Sequence, residues 1–172
     1  MGIRLVIMGV SAVGKSTVGR SLAERFGVPF RDADDLHPAS NVAKMASGVA
    51  LDDVDRDPWL DLVGAELEAS TTGVVMACSA LKRAYRDRLR EAAPATVFLH
   101  LHGSRELLAA RAAARADHFM PASLLDSQLA ALEPLATDEA GITVDVADAP
   151  AEIVARAVIG LRPFVEPVTP RS

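Results

Sequence analysis

The chain has 172 residues, is half hydrophobic but only 4% aromatic, and carries a formal net charge of −5. That length suits one domain with a sizeable core, and the scarcity of aromatics points to Ala, Val and Leu packing between helices and a parallel sheet. The acidic balance excludes a general nucleic-acid binder, which needs a basic stripe to displace counterions from phosphates.

The first apolar run, residues 3–8, is continuous and β-prone, and reads as a strand buried on both faces. It is too short to span a bilayer and glycine follows it. Met1-Gly2 starts like an acylation signal, but Val6 stands where Ser or Thr is required. With the lone Cys78 excluding an internal disulfide, these features predict an unanchored protein with no membrane partner, in the reducing cytoplasm. Cys78 itself reads as a small buried filler.

After the strand comes Gly9-Val10-Ser11-Ala12-Val13-Gly14-Lys15-Ser16, which fits G-x-x-x-x-G-K-[ST], and then a helical pattern over 15–26 with Gly27 as its stop. A phosphate loop needs this strand–loop–helix context. Its backbone N–H groups wrap phosphate oxygens at a helix N-terminus, Lys15 reaches the β and γ oxygens of ATP, and Ser16 ligates Mg²⁺. The nucleotide-binding set is therefore Gly9, Ser11, Ala12, Val13, Gly14, Lys15, Ser16 and Thr17. The guanine-specific Asn/Thr-Lys-x-Asp is absent and no apolar strand ends in Asp-Glu. Phosphoryl transfer to a small acceptor remains, with a closing flap to exclude water.

Residues 28–31 form a second strand that delivers Asp32 and Asp34 to the ligand edge of the sheet. The two carboxylates are expected to point in opposite senses. Asp34 then orients or deprotonates the acceptor hydroxyl while Asp32 lies nearer Mg²⁺; the competing reading makes both simple helix caps. Residues 38–45 and 59–69 read as helices separated by an acidic segment, 52–57. This insert offers His37, Lys44 and Arg56 to a hydroxylated anion, or alternatively to solvent and surface ion pairs.

Residues 74–78 make a third strand, followed by Ser79 and a basic helix over 81–91, on which Lys82 and Arg86, one turn apart, both face the acceptor. A fourth strand covers 95–101. Helices are expected at 105–116 and 121–132, with a lid near 111–125. Arg111 and Arg115 share a face there, placed either to reach the γ-phosphate on closure or to face solvent. Residues 142–146 are a fifth strand, 151–161 a last helix, and the tail a loosely held end.

Several longer strings occur together: Asp32-x-Asp34-x-Leu36-His37-Pro38, Lys44-Met45-Ala46-Ser47-Gly48, Asp52-Asp53-x-Asp55-Arg56-x-Pro58-Trp59-Leu60, Cys78-Ser79-Ala80-Leu81-Lys82, His118-Phe119 and Gln128-x-x-x-Leu132-Glu133. In these the whole chain resembles the small phosphate-loop gluconokinases, relatives of shikimate kinases and nucleoside monophosphate kinases. The resemblance implies a three-layer α/β fold, a five-stranded parallel sheet with helices on both faces and a small helical lid. It implies phosphorylation of D-gluconate at the 6-hydroxyl by ATP with Mg²⁺, and a homodimer. It agrees with the residue reading in which Lys15 and Asp34, with Arg115 of the lid, are the catalytic candidates and Ser16 and Asp32 the metal-binding ones. It gives Asp34, His37, Lys44, Arg56, Ser79, Lys82 and Arg86 to the sugar acid. The adenine goes between Arg111, Arg115 and the loop near Asp148 and Pro150. The chain departs from the family where Ala12 and Val13 replace glycine and a small residue, and a β-branched residue in a tight loop predicts altered nucleotide contact. It departs again at Ala116 and Asp117, where a basic residue and glycine are usual. Two rival readings are a kinase for another small hydroxy acid and a catalytically weak regulator that binds nucleotide and gluconate.

Overall fold

The central strand, β1 (Arg4–Met8), is buried at every residue because it is paired on both edges and covered on both faces. It lies between β3 (Val74–Ala77) and β4 (Thr96–His102). The short β2 (Phe30–Asp32) pairs with β3, and β5 (Gly141–Asp145) pairs with β4. The order is β2-β3-β1-β4-β5 and all four pairings are parallel. The structure is a computed structural model describing residues 2–114 and 122–165.

Alternation along β1 supplies two cores. Leu5 and Ile7 pack with α1 (Lys15–Phe26) and α7 (Pro150–Leu161), while Val6 and Met8 pack with α3 (Asp53–Ala69) and α4 (Arg83–Ala92). Each large aliphatic side chain so buried contributes about 1.5–3 kcal/mol. The three-layer α/β architecture expected from the sequence is thus the one observed. Among the described residues no helix is long and apolar enough to cross a membrane.

The insert between β2 and β3 differs from the sequence reading. After a 3₁₀ turn, Ala33–Leu36, come α2 (Ala39–Ala46) and then α3, which starts six residues before Trp59. The acidic segment is therefore the first turns of a helix and not a spacer. Asp52 accepts from the Asp55 N–H and Asp55 accepts from the Asp52 N–H, both at 2.9 Å, a reciprocal capping box, and carboxylates favour this positive end of a helix. Its polarity and Pro58 disguised it.

The remaining helices, α5 (Arg105–Ala113) and α6 (Ala122–Ala131), flank the expected lid. Arg115, Ala116, Asp117, His118 and Phe119 lie outside the described residues, as does most of the tail.

Candidate active site

The loop after β1 can bend only because of its first glycine. Gly9 has φ 139°, and a Cβ there would sit 2.5 Å from the Leu101 carbonyl oxygen of β4. The Gly9 N–H donates to the Ser79 carbonyl at 3.2 Å, which fixes the loop to the end of β3. Beyond it, Ala12 (φ 65°) and Gly14 (φ 97°) take left-handed backbone, and α1 begins at Lys15. Lys15 folds back over the loop, its Nζ 3.0 Å from the carbonyls of Gly9 and Val10.

Ser11, Ala12, Gly14, Lys15 and Ser16 line a cavity of about 340 Å³ whose other walls are Asp32, Asp34, Ala77, Cys78, Ser79 and Gln128. Val13 points the other way. It is 1% exposed, belongs to the core under α1 and α7, and is not among the residues that line the cavity. Thr17 is exposed on the first turn of α1 and is not among the lining residues.

The two carboxylates do not point in opposite senses as expected: residues two apart already share one side of an extended strand, and the turn after β2 keeps them together. Asp32 ends β2 and Asp34 sits on the 3₁₀ turn, and both line the same cavity. Capping and site roles coexist here: Asp32 Oδ1 accepts from the Asp34 N–H at 3.1 Å. The walls around Asp34 desolvate its carboxyl and the Asp32 charge repels it, raising its pKa against the opposing pull of His37 and Lys15.

His37 stands behind Asp34. Its ring stacks on Trp59 with centroids 4.4 Å apart, and Trp59 Nε1–H donates to the Ala33 carbonyl at 2.7 Å. Burial lowers the His37 pKa, favouring the neutral ring. Asn41 Nδ2, which can only donate, lies 3.4 Å from His37 Nδ1, so the ring proton belongs on Nε2, 3.8 Å from Asp34 Oδ1. Asn41 also donates to the Asp55 carbonyl at 2.8 Å, bracing α2 on α3.

The cations of the insert converge on the acidic start of α3. Lys44 is hydrogen-bonded to Asp55 and lies 3.8 Å from Asp52. Lys82 Nζ contacts both Asp53 oxygens at 2.9 and 2.8 Å, and the Tyr85 hydroxyl donates to the same carboxylate. Arg56 donates to the Leu51 carbonyl and lies 5.9 Å from the Tyr85 ring centre. Arg56, Lys82, Tyr85 and Asp53 line a second cavity of about 610 Å³ with Leu51, Leu81 and Ala131. Lys44 and His37 line neither cavity directly.

Arg86 is the clear departure. It is completely buried, its guanidinium held by Glu139 and by the carbonyls of Ala80, Leu81 and Glu133 at 3.1, 3.2 and 3.1 Å. The shared-face reading failed because Lys82 is the extended cap residue of α4 and not a helical one, so the two side chains leave in different directions. Arg86 clamps the loop after β3; no part of it faces an acceptor.

Arg111 donates to the Val146 carbonyl at 2.6 Å, which places it against the loop after β5. In that loop Asp148 pairs with Arg156 and Pro150 opens α7. Sequence reasoning quoted Gln128 but gave it no role. Its Oε1 accepts from the Ser11 N–H at 2.7 Å, a contact between residues 117 apart that no local spacing signals. Burial pushes the Cys78 thiol up to about 12, in keeping with an inert filler.

The family model described as shikimate kinase matches residues 11–161. A gluconokinase of Gluconobacter oxydans is 48% identical over 150 residues, covering 84% of each chain. A probable gluconokinase of Xenopus tropicalis is 46% identical over 160 residues, covering 83% of this chain and 84% of the other. The crystal structure of a gluconokinase from Sinorhizobium meliloti superposes with a TM-score of 0.88 at 49% identity, covering 96% of this chain and 94% of that one.

Proposed function

The chain belongs to the gluconokinases of the shikimate kinase family, and from that premise we propose that the cavity at the sheet edge catalyses ATP-dependent phosphorylation of D-gluconate at its 6-hydroxyl. The products are 6-phospho-D-gluconate and ADP. The chain is a carbohydrate kinase and its nucleotide is ATP. The observation that carries the reading is the meeting of Lys15, Ser16, Asp34 and Ser79 around one cavity, which brings donors for a phosphoryl group together with an acceptor for a hydroxyl proton.

The backbone of residues 9–16 and the first turn of α1, including Thr17, hold the nucleotide phosphates. Lys15 exchanges its contacts with the Gly9 and Val10 carbonyls for phosphate oxygens and neutralises charge there. Asp34 accepts the proton of the 6-hydroxyl as it attacks in line, with the neutral His37 donating toward the carboxylate to fix its orientation. Ser16 and Asp32 fit Mg²⁺, because a hydroxyl and a carboxylate lining one cavity are the hard oxygen donors that ion selects. Mg²⁺ held there would offset the charge on the phosphate oxygens during transfer.

The remaining hydroxyls and carboxylate of the sugar acid extend toward Ser79 and toward Arg56 and Lys82 of the second cavity, where Lys82 must release Asp53 to engage them. Lys44 supports that wall through Asp55. Arg111, beside Val146, Asp148 and Pro150, serves the adenine end, and Arg115 serves the γ-phosphate. Family likeness also supports a cytoplasmic homodimer. A coupled ADP-release assay run in parallel with gluconate, shikimate, other sugar acids and nucleoside monophosphates tests the reading. Gluconate is expected to give the highest kcat/KM. Preference for any other acceptor, or binding of gluconate and ATP without ADP release, overturns it.

A further inference from the structure

The geometry points to Gln128 as an acceptor-facing residue of the phosphoryl-transfer site, an inference that rests on the kinase reading above. Its carboxamide comes from α6 across 117 residues of sequence to the third position of the phosphate loop. Oε1 is committed, accepting from the Ser11 N–H at 2.7 Å, and that bond fixes the plane of the amide. Gln128 lines the same cavity as Lys15, Asp32, Asp34 and Ser79. Among the described residues its Nε2 meets no hydrogen-bond acceptor, which leaves its donors for a group inside the cavity.

The chemistry of the acceptor explains why a donor belongs there. A hydroxyl both donates and accepts. Asp34, once ionised, can only accept, so it satisfies the hydroxyl proton and leaves the oxygen lone pairs unmatched. Lys15 donates, but the phosphate oxygens claim it. Gln128 Nε2 supplies the missing donor within the same cavity, so the attacking oxygen is held between one acceptor and one donor. The residue is also well braced. The Glu133 N–H just beyond α6 donates to the Leu81 carbonyl at 2.8 Å, and buried Arg86 binds the Glu133 carbonyl, so α6 is tied to the same loop that carries Ser79.

The test is Q128L, which keeps approximate size and removes both donor and acceptor, assayed beside wild type. Gluconate turnover by wild type is measured first, and its absence would sink the kinase reading independently of Gln128. Given that turnover, kcat/KM for gluconate in Q128L is expected to fall about 10- to 100-fold, the worth of one well-placed hydrogen bond. The dissociation constant for ADP, measured calorimetrically, should stay within about threefold, since one loop amide is a small part of phosphate binding. An equal loss of ADP affinity would mean that Gln128 acts only through the loop, and unchanged kcat/KM would mean that it does not act at all; either overturns the inference. Q128E, which keeps an oxygen for Ser11 but has no donor, must also lose gluconate kcat/KM, and wild-type kinetics in it would equally overturn the assignment. If Q128L melts below the assay temperature, Q128M removes the same donors and is read by the same criteria.

Discussion

Arg86 and Glu139 meet in a two-point contact with neither side chain exposed, Nε to Oε1 at 2.7 Å and NH2 to Oε2 at 2.9 Å. The pair is further satisfied by the Ala136 N–H at 2.9 Å and Arg90 at 3.0 Å, and by the carbonyls on Arg86. A buried pair of this kind adds little over a well-packed apolar substitute, but breaking one partner strands a charge and costs about 3–5 kcal/mol. Arg86→Met should therefore lower the melting temperature by roughly 10 °C. The double change Arg86→Met with Glu139→Leu should recover most of that loss. A single variant melting with wild type in differential scanning calorimetry would show that the contact is not needed.

The same carboxylate sets an acid limit. Burial works to raise the Glu139 pKa, but the hydrogen bonds from Arg86, Ala136 and Arg90 more than offset it and hold the group at about 2, below its ordinary 4.5. A depressed acid contributes stability that is fully present above the unfolded value and is lost as pH falls through the folded one. Glu139 thus withdraws its contribution between 4.5 and about 2.

His100 acts earlier on the same descent. Its ring is buried on β4, and among the described residues neither nitrogen has a hydrogen-bond partner. Burial first, then the charges of His102 and Arg86, push its pKa down to about 4 from 6.5. The unfolded chain binds a proton that the folded one refuses, so stability falls as pH drops from 6.5 toward 4, by at most ~3 kcal/mol. Urea titrations at pH 7, 6 and 5 should show this loss in wild type and a flatter profile in His100→Leu. Superimposable profiles would place the acid sensitivity elsewhere.

Asp34 offers a kinetic counterpart. A base whose pKa is raised stays protonated to higher pH, so the acid limb of kcat/KM for gluconate should have its midpoint above 3.8, the ordinary value. Asp34→Asn should lower kcat by about 10²- to 10⁴-fold and abolish that limb in whatever activity remains. Turnover near wild type in this variant would remove Asp34 from the chemistry.

What the sequence made legible follows the range of the physics. The five strands and the phosphate loop are written locally, in apolar runs, glycines and one helical period, and the structure places them within a residue or two of expectation. The start of α3 was missed because a helix cap is made of the same polar residues as a loop, and only the reciprocal Asp52–Asp55 bonds tell them apart. Arg86 and Gln128 were misjudged for a shared reason. One was given to the acceptor but is paired with Glu139, 53 residues away; the other had no local signal for its contact with Ser11. Charge alone does not reveal whether a side chain faces a cavity or the core.

The departures at Ala12 and Val13 lead to the last prediction. A β-branched residue in a phosphate loop suggested altered nucleotide contact, yet the Val13 side chain is buried in the core and does not line the cavity. Val13→Ala should then cost about 2 kcal/mol of stability, the scale for removing buried methyl groups, while ADP affinity changes by less than about threefold. Ala12, at φ 65°, carries the strain of a side chain in left-handed backbone, on the order of 1 kcal/mol. Ala12→Gly relieves it but frees the unfolded chain by a comparable ~0.4–1 kcal/mol, so its melting temperature should barely move. A large loss of ADP affinity with unchanged melting in Val13→Ala would mean that the side chain faces the nucleotide after all.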